Sequence, residues 1–428
     1  MNASRKHTRV EIHFGHTTLE ADVPNLLSVI VPNDVPGAPD ARAEIRRAIA
    51  DPIGSPRLRE IAKAKRDAAI VINDITRPCP TQVMVEGLLE ELEAAGMDSR
   101  KVTLVVATGN HRPATPQEIV EILGKDLAAS LRVINHVCTD DESQVYIGTT
   151  DGGVPVWVNK AVAHADLRIV TGLITPHHAA GFSGGRKSIL PGVTGLQTLK
   201  VHHSLPIRPY EAAMGWYRGN PFHEESLKAA RMLGVDFMVN TVDNAERQVV
   251  QCVAGDVDAA HQVGVETCRK IWEVPLPQKA DVVITSPGGY PRDIDMHQSQ
   301  KAISPAELAA KEGGVIILAA ECSDGVSKFG RYLLEAQSPQ DVIDMFKRDG
   351  YDREAPSKAF MWARALVKHP IIVVARGVAD ETLEKMFMIP AKDINTAIEK
   401  AREIRGQDAT FLTIPYASDI IPISAGGI

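Results

Sequence analysis

The stretch AAIVINDITRPCPTQVMVEGLLEELEAAGMDSRKVTLVVAT, residues 68–108, carries the pattern from which the fold follows. It opens on an apolar, β-branched run, AAIVIN (68–73), of the kind that a parallel strand covered on both faces requires. TQVMVEGLLEELEAA (81–95) then shows apolar residues at helical spacing, closed by Gly96. A second apolar run, KVTLVVAT (101–108), reads as another strand. The cycle continues with TPQEIVEIL (115–123), a helix opened by Thr115 with Pro116 in its first turn. LRVINHV (131–137) and LRIVTGL (167–173) read as further strands. Upstream, residues 9–23 alternate apolar and polar around Gly15 and His16, which predicts a β-hairpin. Downstream, residues 195–270 read mostly as helix and loop.

VPLPQ (274–278), with two prolines and no periodicity, reads as a linker. A second alternation follows it. ADVVITS (280–286), GGVIILAA (313–320) and IIVVARG (371–377) predict strands, with helices near 299–311, 337–347, 380–387 and 394–404. The expected fold is therefore α/β: two domains with mainly parallel sheets, residues 1–273 and 274–428, and an active-site cleft between them. The last fifteen or so residues are candidates to return to the first domain.

Composition bounds the function. The chain has 428 residues, enough for two or three domains at roughly 100–200 residues each. A net charge of −7 argues against a general nucleic-acid binder. Five scattered cysteines without a CxxC pair fit a reducing, cytoplasmic setting and give no zinc ribbon or disulfide framework. The amino terminus lacks the apolar core of a secretory signal, and no run of about 18 apolar residues predicts a membrane span.

Four segments carry candidate chemistry, each after a strand-like run, where α/β folds bind ligands. NDITRPCP (73–80) places Asp74 and Arg77 in a proline-fixed loop; Arg77 can grip a carboxylate, or form a loop ion pair with Asp74. TGNHRP (108–113) puts His111 at a strand end, either as an acid–base group or as a solvated loop histidine. PHHAAGFSGGRKSILPGVTG (176–195) is the strongest. Gly181, Gly184 and Gly185 surround Ser183, in a loop whose backbone N–H groups can cradle an anion, and Lys187 follows. Arg186 separates Gly185 from Lys187, so the spacing of a nucleotide-binding P-loop is absent. His202 and His203 come next; adjacent histidines on a helix do not both face one centre, and no HExxH motif supports a hydrolytic zinc site. SPGGYPRDIDMHQSQKAI (286–303) puts His297, Gln298 and Lys301 on one helical face, where Lys301 can neutralise a carboxylate or sit in solvent. GNPFHEE (219–225) reads as a structural helix start, with Asn220 as cap and Pro221 first.

Together these segments resemble the nickel-pincer lactate racemase family. The most specific piece is P-H-x-x-x-G-F-S-G-G-x-K with a following P-G, met by Pro176, His177, Gly181, Phe182, Ser183, Gly184, Gly185, Lys187, Pro191 and Gly192. D-x-T-R-P, G-x-H-R, G-N-P-x-H-E and Q-x-x-K-A accompany it. The resemblance implies a racemase or epimerase that inverts C2 of a 2-hydroxyacid by reversible hydride transfer. It implies a nickel-pincer pyridinium mononucleotide as cofactor, tethered to Lys187 through a thioamide and loaded by dedicated biosynthesis proteins. His203 would be the nickel ligand, with His202 as the fallback. His111 and His177 would be the acid–base pair, and Arg77 and Lys301 would bind the substrate carboxylate. Asp74, Ser183, Gly184, Gly185 and Gln298 would line the cofactor site.

Two departures bear on the substrate. His297 stands where the lactate enzyme has a tyrosine, in a position to contact substrate, and Arg186 where it has a small residue. Both suggest a 2-hydroxyacid larger or more polar than lactate. Two other classes compete. An NAD-dependent 2-hydroxyacid dehydrogenase would share the chemistry, but no strand is followed by GxGxxG with its acidic partner. A non-catalytic protein binding a phosphorylated ligand or cofactor would use the glycine loop but leave His111 and His177 without a purpose.

Overall fold

A computed structural model describes residues 7–352, 354 and 356–424. The chain forms two compact units. One comprises residues 34–209 and 216–271, and the other residues 1–33, 210–215 and 272–428.

The first unit is built on a six-stranded sheet. Its order is Val249–Gly255, Phe237–Asp243, Leu167–Leu173, Ala68–Asn73, Val102–Ala107 and Arg132–Asn135. All neighbours are parallel except the first pair, which is antiparallel. The run 68–72 is wholly buried, as its β-branched composition demands. The predicted helix Thr81–Ala94 lays Met84, Val85, Leu88 and Leu92 on Ile70, Ile72, Leu104 and Val106. Thr115 closes a capping box on the helix Pro116–Leu123. From the strand 68–73 the chain moves outward through 102–107 to 132–135, then crosses to 167–173 on the other side. That reversal falls between strands 68–73 and 167–173, and in open α/β sheets ligands bind beyond the carboxyl ends of strands at such a point.

The second unit has a six-stranded, all-parallel sheet in the order Ile389–Pro390, Ile371–Val374, Ala310–Ala319, Ala280–Thr285, Phe411–Ile414 and Leu26–Val29. The predicted hairpin is His7–Phe14 against Thr17–Pro24. Its Val10, Ile12, Phe14, Ala21 and Val23 join the core of this sheet.

Four expectations are corrected. Residues 7–33 belong with the carboxy-terminal sheet, because Leu26–Val29 pairs with Phe411–Ile414. VPLPQ is no free linker: Glu273–Pro275 pairs in parallel with Ile421–Ile423, which keeps the final described strand in the second unit. Residues 425–428 of the expected returning tail, and residues 1–6, lie outside the described residues. Segment 195–270 holds two strands as well as helix and loop. Phe411–Ile414, unread in the sequence, is a buried strand. Among the described residues no helix is long and apolar enough to cross a membrane.

Candidate active site

Strand ends of the first unit bring together most of the candidate residues. Asp74 follows the strand 68–73 and is buried. Its carboxylate accepts the Thr76 hydroxyl (2.7 Å) and backbone N–H (3.2 Å), and lies 2.6 Å from Nδ1 of His111. The alternative of an Asp74–Arg77 loop pair is therefore not what forms; His111 is the partner. Burial pushes the Asp74 carboxyl up, but the His111 hydrogen bond and charge, Thr76 and Arg77 outweigh it, leaving the group below its ordinary value. A carboxylate on Nδ1 requires the proton there, so the lone pair of neutral His111 lies on Nε2. The imidazole itself is exposed.

His177 sits on the short strand Pro176–His177, paired with Gly181–Phe182. Its Nδ1 accepts the backbone N–H of Ala179 and of Ala180, both at 3.1 Å, which puts the proton of the neutral ring on Nε2. The ring stacks on His178 at 4.4 Å. Burial, then the charges of Lys187, His178, Arg77 and Arg208, hold His177 well below its ordinary value. Lys187 is treated likewise: burial, followed by Arg77, Arg186 and Arg208, favours the uncharged amine. Arg208, itself buried, is a member of this cluster that the sequence reading missed. A lone arginine between prolines, in LPIRPY (205–210), carries no motif.

The two adjacent histidines differ in hydrogen bonding. His202 is fully buried, with Nε2 2.9 Å from the Phe222 carbonyl and 3.1 Å from the Ser226 hydroxyl. Ser226 spends its own proton on the Phe222 carbonyl, so Nε2 of His202 must donate. Nδ1 of His202 is then an acceptor, and it faces Nδ1 of His203 at 3.3 Å. His203 therefore carries its proton on Nδ1 and its lone pair on Nε2, the atom that can ligate a metal. Burial pushes His202 down to about 3, and it holds His203 well below its ordinary value too, keeping both rings neutral.

The glycine loop differs from the expected anion cradle. The Ser183 hydroxyl donates to the Leu173 carbonyl at 2.7 Å and accepts the Thr175 N–H at 2.8 Å. The Gly185 N–H is held by Oδ1 of Asn240 at 2.6 Å, and the Ser183 N–H by the Thr175 carbonyl at 2.8 Å. At Gly184 (φ +79°) a Cβ would lie 2.5 Å from Asn240 Oδ1, and at Gly185 (φ +55°) 2.8 Å from the His261 ring. Ser183, Gly184 and Gly185 thus shape the backbone before Lys187, and these groups are spent inside the fold. Arg186 is also turned inward and fully buried, so it adds no hydrogen bond to a substrate pocket.

Three candidates, His297, Gln298 and Lys301, lie in the other unit. Asp295 caps their helix by accepting the Gln298 N–H at 2.7 Å. All three are half-buried while Ser299 and Gln300 between them are buried, so they share one accessible side as the spacing predicts. His297 stands edge-on to Phe329, 6.3 Å between ring centres.

Among the described residues no group of three or more His, Cys, Asp or Glu side chains is arranged to hold a metal ion. A metal bound here through His203 would need its remaining donors from a ligand.

Residues 13–215 match the family model of the lactate racemase N-terminal domain, and residues 276–421 that of the lactate racemase C-terminal domain. Lactate racemase of Thermoanaerobacterium thermosaccharolyticum is 35% identical over 422 residues, 96% of this chain and 98% of that protein. Lactate racemase of Lactiplantibacillus plantarum is 36% identical over 382 residues, 88% and 90% of the two chains. The structure of the lactate racemase apoprotein from T. thermosaccharolyticum superposes with a TM-score of 0.88 at 34% identity, covering 97% of this chain and all of that one. A Thermotoga maritima protein at 15% identity and TM-score 0.66 shares the fold.

Proposed function

The chain belongs to the lactate racemase family, and on that premise we propose that it is an isomerase inverting C2 of a 2-hydroxyacid by reversible hydride transfer, with a nickel-pincer nucleotide on Lys187. The observation that carries the proposal is the setting of Lys187: an amine favoured in its uncharged form, the charged groups acting on it all cations, in the same unit as the His203 lone pair. An uncharged amine can form a covalent tether. Arg77 and Arg208 can neutralise the phosphate and carboxylate groups that cofactor and substrate bring. A histidine that, among the described residues, belongs to no group of three or more metal-binding side chains suits a nickel ion whose other donors belong to the cofactor. Bound there, the cofactor supplies the hydride acceptor and donor, which the protein's own side chains lack.

The chain's residues then handle the proton and the carboxylate. His111 takes the substrate hydroxyl proton on Nε2, and Asp74 stabilises the resulting imidazolium. Asp74 thus acts on His111 rather than on the cofactor. His177 presents Nε2 to the hydroxyl in the opposite configuration. Arg77 and Lys301 hold the carboxylate, so that only the groups on C2 rearrange. Gln298 lines the cofactor site, and His297 contacts the substituent on C2. The inward turn of Arg186 leaves His297 alone in support of a substrate larger or more polar than lactate. Five free thiols suit work in the cytoplasm.

The test is co-expression with the cofactor-biosynthesis proteins, followed by intact mass and nickel content. A covalent mass increase with about one nickel per chain, lost in Lys187→Ala, is expected. No adduct under conditions that load a lactate racemase overturns the assignment. A panel of 2-hydroxyacids follows; lactate as the best substrate refutes the larger-substrate reading.

A further inference from the structure

We propose that Arg186 is the positioning residue for Lys187: a buried guanidinium, bound by backbone carbonyls instead of a carboxylate, that fixes the turn between His177 and the lysine. The inference rests on the reading of Lys187 as a reacting amine.

Arg186 is completely buried. Its Nη2 donates to the carbonyls of Ala180 (3.0 Å) and Phe182 (2.8 Å), and its Nη1 to those of Gly184 (3.2 Å) and Ser183 (3.4 Å). Four carbonyls of one five-residue turn thus converge on one planar group, a geometry that a lysine or an apolar side chain cannot reproduce. Behind it stands His261, with Nε2 3.0 Å from Nη1 and 2.8 Å from the Ser183 carbonyl, and with Nδ1 2.9 Å from the Tyr217 hydroxyl. A second proton on His261 would set two cations about 3 Å apart, so that ring stays neutral. The guanidinium also lies over the face of Tyr217, 6.0 Å from its centre.

This arrangement has a chemical consequence. Buried arginines usually meet a carboxylate, as Arg364 meets Glu307 in the other unit. Among the described residues no carboxylate ion-pairs with Arg186, although the more distant charge of Asp258 acts on it; its hydrogen bonds go to backbone dipoles and a neutral histidine, so its charge remains as a field one residue before Lys187. The charged groups that disfavour an ammonium at Lys187 are Arg77, Arg186 and Arg208, while the nearby rings of His177, His202 and His203 are themselves held neutral. Arg77 and Arg208 have other duties toward ligand anions. Arg186 is fully buried, and its charge acts on Lys187 as well as on the neighbouring rings of His202, His223 and His261.

The experiment is competitive trace acetylation of the full-length apoprotein with acetic anhydride from pH 6 to 10. Lys187 is quantified by peptide mass spectrometry against exposed Lys200. In the parent protein Lys187 should be the more reactive at pH 7. In R186M its midpoint should move to higher pH, with a rate at pH 7 lower by about tenfold, the effect of one pKa unit. Lys200 should not change. A loosened but otherwise intact turn would change the rate without moving the midpoint. Should R186M fail to fold, R186K is measured instead; it keeps a charge but not the four-carbonyl fork, and a slower Lys187 with an unmoved midpoint is the supporting result. An unchanged Lys187 profile in a folded variant overturns the role of Arg186. If Lys187 of the parent protein is no more reactive than Lys200, it is the tether reading that fails.

Discussion

Asp74 and His111 stand 37 positions apart in sequence, yet 2.6 Å apart in the fold. The contact decides which ring nitrogen carries the lone pair, and so which atom can take a proton. Asp74→Asn should preserve the loop, because Thr76 can still be bonded, while removing the charge that stabilises an imidazolium. The turnover number is expected to fall by roughly 10²-fold or more, with a lower melting temperature near neutral pH, where the ionised carboxylate contributes to stability. The sign of the acid dependence follows from the depressed Asp74 carboxyl. Its stabilising contribution is present above the ordinary carboxylate range and is lost as pH falls through the folded value. Acid titration of the melting temperature should therefore be flatter in Asp74→Asn than in the parent. The residues of this site were legible in sequence one by one, as types at strand ends. Their pairing was not: the nearer partner of Asp74 in sequence, Arg77, was the wrong one.

At the scale of elements, the helix Pro221–Leu233 ties the histidine-bearing loop to the core. Asn220, fully buried, caps it by accepting the Phe222 N–H at 3.0 Å, and its amide donates to the carbonyls of Ala179 and Trp216, both at 2.9 Å. Ala179 in turn gives its N–H to His177. Asn220→Ala removes a cap and takes the donor from the buried Ala179 carbonyl and the partly buried Trp216 carbonyl, so a loss of about 2–4 kcal/mol is expected in denaturant unfolding. His177 should lose order with it, visible as broadening of its imidazole signals in NMR. The cap was predicted from Asn-Pro alone; its second attachment was not, since a side-chain amide does not announce a carbonyl 41 positions away. The unread strands have a similar cause. Phe237–Asp243 is buried throughout, with Asn240 and Thr241 inside, so neither alternation nor an unbroken apolar run marks it.

The whole molecule carries an acid sensitivity built from buried neutral histidines. Burial pushes His136 down to about 4 and His223 to about 3, and holds His261 well below its ordinary value. The unfolded chain binds protons at these positions below about pH 6.5 and the native state does not, so stability declines as pH falls through that value. The decline continues until each folded value is reached. One pH unit below the unfolded value, three such groups cost about 4 kcal/mol in all, at about 1.4 kcal/mol each. The melting temperature of the apoprotein should thus drop steeply between pH 7 and pH 5. A melting temperature constant over that interval contradicts neutral burial of these rings.

Periodicity and composition settled the local elements, and hence the α/β class, because a doubly covered strand and a one-sided helix each demand their own spacing of apolar side chains. The same local chemistry marked the capped helices and the residue types at the strand ends. Tertiary structure alone decided what depends on distant pairing. It joined Leu26–Val29 to Phe411–Ile414, across almost the whole chain, and so moved residues 7–33 into the carboxy-terminal unit. It turned Arg186 inward, where four carbonyls needed donors, though its place beside Lys187 suggested a ligand contact. And it distinguished His203 from His202 through the proton on a ring nitrogen, which is set by the Phe222 carbonyl and the Ser226 hydroxyl and by nothing in the dipeptide itself.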